Sequence, residues 1–182
     1  MEPKLETNKW QIIAKFSLIF TLILVAVNLM FYITGMQTKL SVVMSILTVL
    51  VVAGSIYKGI LTQRNQVLGG YISYGGGVKI GLLITLFASV LLTFYHYIFV
   101  EFIDVDFMDN MLKEAKRQMI EDGSSEEEIE MGMKMFGYMK SPIVFAIGGF
   151  VGYFFYGFVA SLIVAIFTKR EDPDGQYKSL EN

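Results

Sequence analysis

Acidic side chains are concentrated in one polar segment, residues 101–141, which contains eleven acids against five bases. Clustered carboxylates are able to bind hard divalent cations, which take several oxygen ligands. The segment has no calcium-loop spacing, in which an invariant glycine and a bidentate glutamate occupy fixed positions. The pattern therefore favours a solvated helical surface, and divalent-cation binding remains the lesser alternative.

A histidine occurs once in the chain, as His96 in the run Tyr95-His-Tyr-Ile-Phe99. An imidazole titrates near neutral pH, and Glu101 and Asp104 follow closely in sequence. His96 is thus a candidate pH sensor or metal ligand. The aromatic residues around it favour a simpler role as an anchor at a membrane interface.

Other reactive chemistry has little support in the sequence. The chain has no cysteine, so disulfides and thiol catalysis are excluded. The glycine-rich run at 69–77 lacks the Gly-Lys-Ser/Thr ending of a phosphate-binding loop and is interpreted as an interfacial turn. We predict no catalytic residue, no cofactor, no metal site and no enzymatic activity. A net charge of −2 gives no reason to expect a nucleic-acid partner.

The elements that position these residues are four long charge-free stretches. Hydrophobic residues make up 54% of the chain and charged residues 18%, whereas a soluble domain usually has about a quarter charged. A bilayer core of about 30 Å requires roughly 20 helical residues, which each stretch provides. We predict an all-α fold, an integral membrane four-helix bundle forming a single domain over 1–182. The spans are predicted at about 12–34, 40–61, 78–100 and 143–167, and a disordered tail at 169–182.

Between spans three and four, residues 101–141 have the pattern of an amphipathic helical hairpin. Apolar residues recur at three- and four-residue steps, and Asp122-Gly123 interrupts them. Ser125 and Glu128 then have the spacing of a capping box, which indicates a second helix. Methionine is a flexible side chain that adapts to varied surfaces, so the methionine-rich stripe is a candidate partner-binding site. Its candidate residues are Met108, Met111, Met119, Met133 and Phe136.

Small residues on spans three and four predict how these helices pack. Gly81 in span three, and Gly149 and Gly157 in span four, belong to rows of small and weakly polar residues at about four-residue intervals. Membrane helices associate through such residues because lipid supplies no hydrophobic drive for association. We predict packing of span three on span four, with a homodimer face on span four as the alternative.

Lysine and arginine predict the orientation. Basic residues flank the N-terminus, the loop after span two and the end of span four, whereas the loop after span one holds only Lys39. Because positive charges mark the cytoplasmic side, both termini are predicted to be cytoplasmic and the acidic hairpin extracytoplasmic.

Four sequence runs in this order resemble a known bacterial family. They are Gly70-Tyr-Ile-Ser-Tyr-Gly75 with the following span ending in Tyr95-His-Tyr-Ile-Phe99, then Phe102-Ile-Asp-Val-Asp-Phe107, then Ser125-Glu-Glu-Glu-Ile-Glu130. The chain resembles, over nearly its whole length, the four-span proteins catalogued as domain of unknown function 4199, found mainly in the Bacteroidetes group. The resemblance implies a bacterial cytoplasmic (inner) membrane protein, and it carries over no catalytic or binding residue.

The sequence thus favours a non-enzymatic membrane protein in contact with the lipid bilayer. Its predicted role is that of an accessory or interaction subunit, which presents the acidic, methionine-rich hairpin to a membrane-protein partner or to the membrane surface. The alternative is a small carrier formed by homo-oligomerisation, with a pathway along the threonine and serine face of span three. Ionisable residues, which usually mark such pathways, are missing from the span centres.

Overall fold

The computed structural model of the chain describes residues 8–35, 41–138 and 140–171. These residues form six α-helices, and a short π-helical turn, Phe99–Ile103, extends the third one. The helices are α1 (Lys9–Ile33), α2 (Ser41–Gln66), α3 (Tyr74–Ile98), α4 (Phe107–Glu121), α5 (Glu126–Tyr138) and α6 (Pro142–Thr168). The predicted all-α fold, with two shorter helices between the third and fourth long ones, is confirmed.

Four of these helices are long and apolar enough to cross a bilayer, namely α1, α2, α3 with its π-helical extension, and α6. Their outer surfaces carry large apolar side chains that a soluble protein would bury, such as Leu22, Leu50 and Phe155. Exposed apolar surface of this extent requires an apolar solvent. The protein is therefore a multi-pass membrane protein.

The described residues divide into two compact units, and each is named here by its position in the chain. The membrane unit consists of the described residues within Met1–Leu91 and Gly152–Asn182. It contains α1, α2, most of α3 and the second part of α6. The hairpin unit is Leu92–Val151, and it contains the end of α3, both short helices and the beginning of α6.

Within the membrane unit, α3 lies against three other helices. The hydroxyl of Ser17 on α1 donates to the carbonyl oxygen of Ile84 at 2.9 Å. A Cβ added to Gly59 of α2 would meet the side chain of Ile84, and one added to Gly81 would meet Ser161 of α6. The core of the membrane unit is therefore built around α3, and all four long helices contribute side chains to it. The fully buried ones include Phe20, Ile56, Ile60, Ile84, Ala88 and Ala165.

The connection between α2 and α3 is shorter than the sequence predicts. Helix α2 continues to Gln66, and the last three glycines of the run, Gly75–Gly77, lie in the first turn of α3. A Cβ on Gly77 would stand 3.3 Å from the Cβ of Ala165, so this glycine allows α3 and α6 to approach closely. Gly77 thus serves helix packing, whereas Gly69 and Gly70 have positive φ and lie in the turn between α2 and α3.

Just after α6, the chain pairs with the loop before α3. The amide of Ile72 donates to the Arg170 carbonyl and the amide of Arg170 donates to the Ile72 carbonyl, both at 2.9 Å. Arg64 of α2 adds a hydrogen bond from its Nη1 to the carbonyl oxygen of Thr168 at 2.9 Å. The end of α6 is thus fixed to the α2–α3 connection. Of the tail predicted to be disordered, residues 172–182 lie outside the described part of the chain.

Candidate functional site

The acidic segment folds into two helices joined at Gly123, whose φ of +77° is a left-handed conformation that suits glycine. The capping box at the start of α5 is present. The amide of Ser125 donates to a Glu128 carboxylate oxygen at 2.7 Å, and the amide of Glu128 donates to the Ser125 hydroxyl at 3.3 Å. The pKa of Glu128 is lowered by two hydrogen bonds that Ser125 donates to its carboxylate, first from the backbone amide and then from the hydroxyl at 2.9 Å. Local sequence therefore sets where α5 begins.

Helices α4 and α5 pack against each other through a glycine and a methionine. A Cβ on Gly132 would lie 2.8 Å from the terminal methyl carbon of Met119, so the methionine fills the space that a larger residue would need. Met108 and Leu112, on α4, are buried. The apolar stripe of α4 is consequently an internal surface of the hairpin unit to a large extent.

Ion pairs cover the exposed faces of the two helices. Arg117 bridges Glu114 and Glu121 along α4, and Lys134 pairs with Glu130 on α5. The longest connection in sequence is from Lys140 Nζ to an Asp109 carboxylate oxygen at 2.8 Å. The hydrogen bond from Lys140, and then its charge, lower the pKa of Asp109. Among the described residues, no group of three or more acids or histidines stands close enough to hold a metal ion.

The structure separates the predicted partner-binding residues by their exposure. Met108 is buried, as described above, and the other four are only partly exposed: Met111, Met119, Met133 and Phe136. A different set on α5 projects outward, with Met131 67%, Met135 68% and Tyr138 80% exposed. Their spacing of four and three residues places them on one side of α5. Periodicity alone does not predict this stripe, because it favours the more regular apolar face that contains Met133 and Phe136.

His96 lies in an aromatic cluster within the hairpin unit. Its Nδ1 is 2.7 Å from the carbonyl oxygen of Leu92, one helical turn earlier, so this nitrogen carries the proton and donates. Its ring meets Tyr95 at 5.4 Å and Phe145 at 6.2 Å between centroids, both in edge-on geometry. Phe107 extends the cluster from α4, with its centroid 5.5 Å from that of Phe145. A role for His96 as a pH sensor stays a prediction.

Two of the three glycines predicted to mediate helix packing lie at close contacts between α3 and α6. A Cβ on Gly157 would overlap Thr85, and a Cβ on Gly81 would stand 2.5 Å from the hydroxyl oxygen of Ser161. Gly149 differs, because a Cβ there would meet nothing within 4 Å in the described chain. Packing through Gly149 stays a prediction.

The threonine and serine face of α3 lies in these contacts. Thr85 and Ser89 are fully buried, and the hydroxyl of Thr85 donates to the carbonyl oxygen of Gly81 at 2.9 Å. Ser161 on α6 makes the same kind of bond, to the carbonyl oxygen of Gly157 at 2.6 Å. Hydroxyls that bond to the preceding turn need no partner on another helix. Thr85 is thus packed against Gly157 of α6, and Ser89 is buried within the membrane unit.

No curated protein and no solved structure matches the chain. One protein-family model does match, that of the proteins of unknown function DUF4199, and it covers residues 15–170. Since the match extends over most of the sequence, the chain belongs to the DUF4199 family of proteins of unknown function.

Proposed function

We propose that this protein is a non-enzymatic interaction subunit of a membrane complex, which uses the hairpin unit to bind a protein partner. The exposed stripe on α5 is the observation that supports this proposal. Met131, Met135 and Tyr138 present an apolar surface in a segment that also carries most of the acids of the chain. Methionine side chains adapt their shape at such surfaces, which suits recognition of another helix.

The charges of the hairpin indicate the chemistry of the partner. Glu126, Glu127 and Glu128 occupy the first turn of α5 and are exposed, so the stripe begins at a strongly negative end. A partner segment that complements both features has apolar residues along one helical face and lysine or arginine beside them. Complementary charge of this kind increases the rate of encounter and selects among partners.

A residue-specific crosslinking experiment in living cells tests the proposal. A photoreactive amino acid at Met131 or Met135 is expected to form crosslinks with one defined protein. The same group at Gln118, which is exposed on α4, should not. The double variant Met131→Lys/Met135→Lys should remove that protein from the intact complex in mild detergent, as determined by its mass. Equal crosslinking from α4 and α5, or an unchanged mass after the double substitution, would contradict the proposal.

The same proposal includes an orientation, with both termini cytoplasmic and the hairpin outside the cytoplasmic membrane of a bacterium. Support comes from the basic residues at one end of the membrane unit: Lys58, Arg64, Lys79, Lys169 and Arg170. Positive residues of this kind mark the cytoplasmic side. In this cysteine-free chain, a membrane-impermeant maleimide should label Glu127→Cys in intact cells and leave Gln66→Cys unlabelled. The reverse pattern would invert the orientation.

Packing in the membrane unit favours the interaction role over the carrier role. A carrier pathway along the hydroxyl face of α3 requires space beside Thr85 and Ser89. Both side chains are fully buried, and Thr85 lies against Gly157. Opening a pathway there would separate α3 from α6 and remove these contacts.

A further inference from the structure

An open groove of about 460 Å³ lies on the surface of the membrane unit, along the first turns of α3 and beside α6. Its walls are almost wholly apolar. The lining residues follow α3 from its N-terminal end. Tyr74 and Gly75 come first, then Val78 and Lys79, and then Leu82 and Leu83 together with Leu162 of α6. The groove therefore has a polar group near one end only, at the level where α3 begins.

Lys79 is exposed at this groove and has no ion pair within the part of the chain that the structure describes. Two other cations of the membrane unit are already held by the protein. Arg64 donates to the Thr168 carbonyl, and the guanidinium of Arg170 stands 5.4 Å from the centre of the Tyr71 ring. The groove thus combines an uncompensated positive charge with an apolar wall.

The membrane unit as a whole is also rich in basic residues. Among its described residues there is one acid, Glu171. Seven are basic: Lys9, Lys15, Lys58, Arg64, Lys79, Lys169 and Arg170. Basic residues beside a bilayer attract anionic headgroups. An apolar groove on a membrane helix is the natural place for acyl chains, because neither water nor a polar solute is stabilised there.

We propose that this groove binds an anionic glycerophospholipid, with its phosphate at Lys79 and an acyl chain along Leu82, Leu83 and Leu162. The order of the lining residues matches the order of the parts of the lipid. A free phosphate ion would pair with Lys79 but would leave the apolar wall uncovered. A zwitterionic lipid would cover the wall with its acyl chain but would gain little electrostatic attraction from Lys79. This inference is independent of the partner proposed for the hairpin unit.

The test measures lipid binding to the full chain in detergent by mass spectrometry of the intact protein. The probes are phosphatidylglycerol and phosphatidylcholine with identical acyl chains. We expect tighter binding of phosphatidylglycerol, and a loss of about five-fold in its affinity for Lys79→Gln, with phosphatidylcholine unchanged. Lys58→Gln is the matched control, because it removes an exposed positive charge from α2 outside the groove.

The apolar wall is tested separately with tryptophan substitutions on α3. Val78→Trp fills the groove and should weaken both lipids, whereas Val90→Trp, at an exposed position outside it, should weaken neither. Helix content measured by circular dichroism identifies any variant that fails to fold.

Three results would overturn the proposal. One is equal affinity for the two lipids, or an equal effect of Lys79→Gln and Lys58→Gln. Another is displacement of phosphatidylglycerol by millimolar inorganic phosphate, which would assign the site to a free anion. The third is a dimer that Val78→Trp dissociates while lipid binding is unchanged, which would make the groove an interface between two copies.

Discussion

Gly157 offers the sharpest test of how the membrane unit is held together. In Gly157→Ala the new Cβ would stand 2.6 Å from the Cβ of Thr85, an atom fixed directly to the backbone. Thr85 is fully buried, so its side chain has no free space to enter. The helices must separate or Thr85 must turn away from its hydrogen bond to Gly81. Overpacking of this kind costs about 1–3 kcal/mol.

A matched glycine on the same helix isolates that cost. A Cβ on Gly152 would meet nothing within 4 Å, so Gly152→Ala gains only the better helix propensity of alanine, roughly 0.8–1.0 kcal/mol. The same gain is present in Gly157→Ala and cancels in the comparison. We therefore expect the free energy of unfolding of Gly157→Ala to be about 2 kcal/mol below that of Gly152→Ala.

The assay is unfolding by dodecyl sulfate in mixed micelles, followed by circular dichroism. A double-mutant cycle with Thr85→Gly adds a second readout, because removing the Thr85 side chain makes room for the new methyl group. The two substitutions should couple by about 1–2 kcal/mol, within the range for residues in contact. Equal stability of the two alanine variants, or additive effects in the cycle, would refute the close packing of α3 on α6 at this point.

Three further outcomes are expected. Lys140→Gln should raise the pKa of Asp109 toward its ordinary value of about 3.9, measured by NMR of the carboxyl carbon. Because the pKa is lowered in the folded protein, this carboxylate stabilises the fold above its ordinary pKa, and the stabilisation is lost as the pH falls through the folded pKa. An unchanged titration of Asp109 in Lys140→Gln would contradict the ion pair. Ser125→Ala should speed amide hydrogen exchange in the first turn of α5 about five-fold, which corresponds to about 1 kcal/mol for a lost N-cap; equal exchange would mean that the cap contributes nothing. Ser17→Ala removes a buried hydrogen bond between helices and should lower the free energy of unfolding by about 0.6 kcal/mol. Thr48→Ala, whose hydroxyl bonds only to its own helix, is the control and should change it less.

Local features of the hairpin were predictable from the sequence. Ser125 and Glu128 form the capping box that their spacing predicts, and Gly123 has the positive φ that ends α4. Both depend on residues a few positions apart, so no knowledge of the tertiary structure was needed. Which methionines of the hairpin are exposed could not be predicted in the same way. Met119 and Met131 have the same chemistry, but one packs near Gly132 and the other faces outward.

The sequence by itself determined that this chain crosses a membrane as four helices. Charge-free helices of that length are stable in the hydrocarbon core of a bilayer, where their backbone hydrogen bonds are satisfied internally. It also determined the two short helices between the third and fourth spans. Only the tertiary structure decided which glycines are contact points. Gly157 and Gly149 belong to the same sequence pattern, yet α3 reaches one of them and nothing described lies at the other. Helix rotation and crossing geometry make that choice, and they depend on all the packed side chains together.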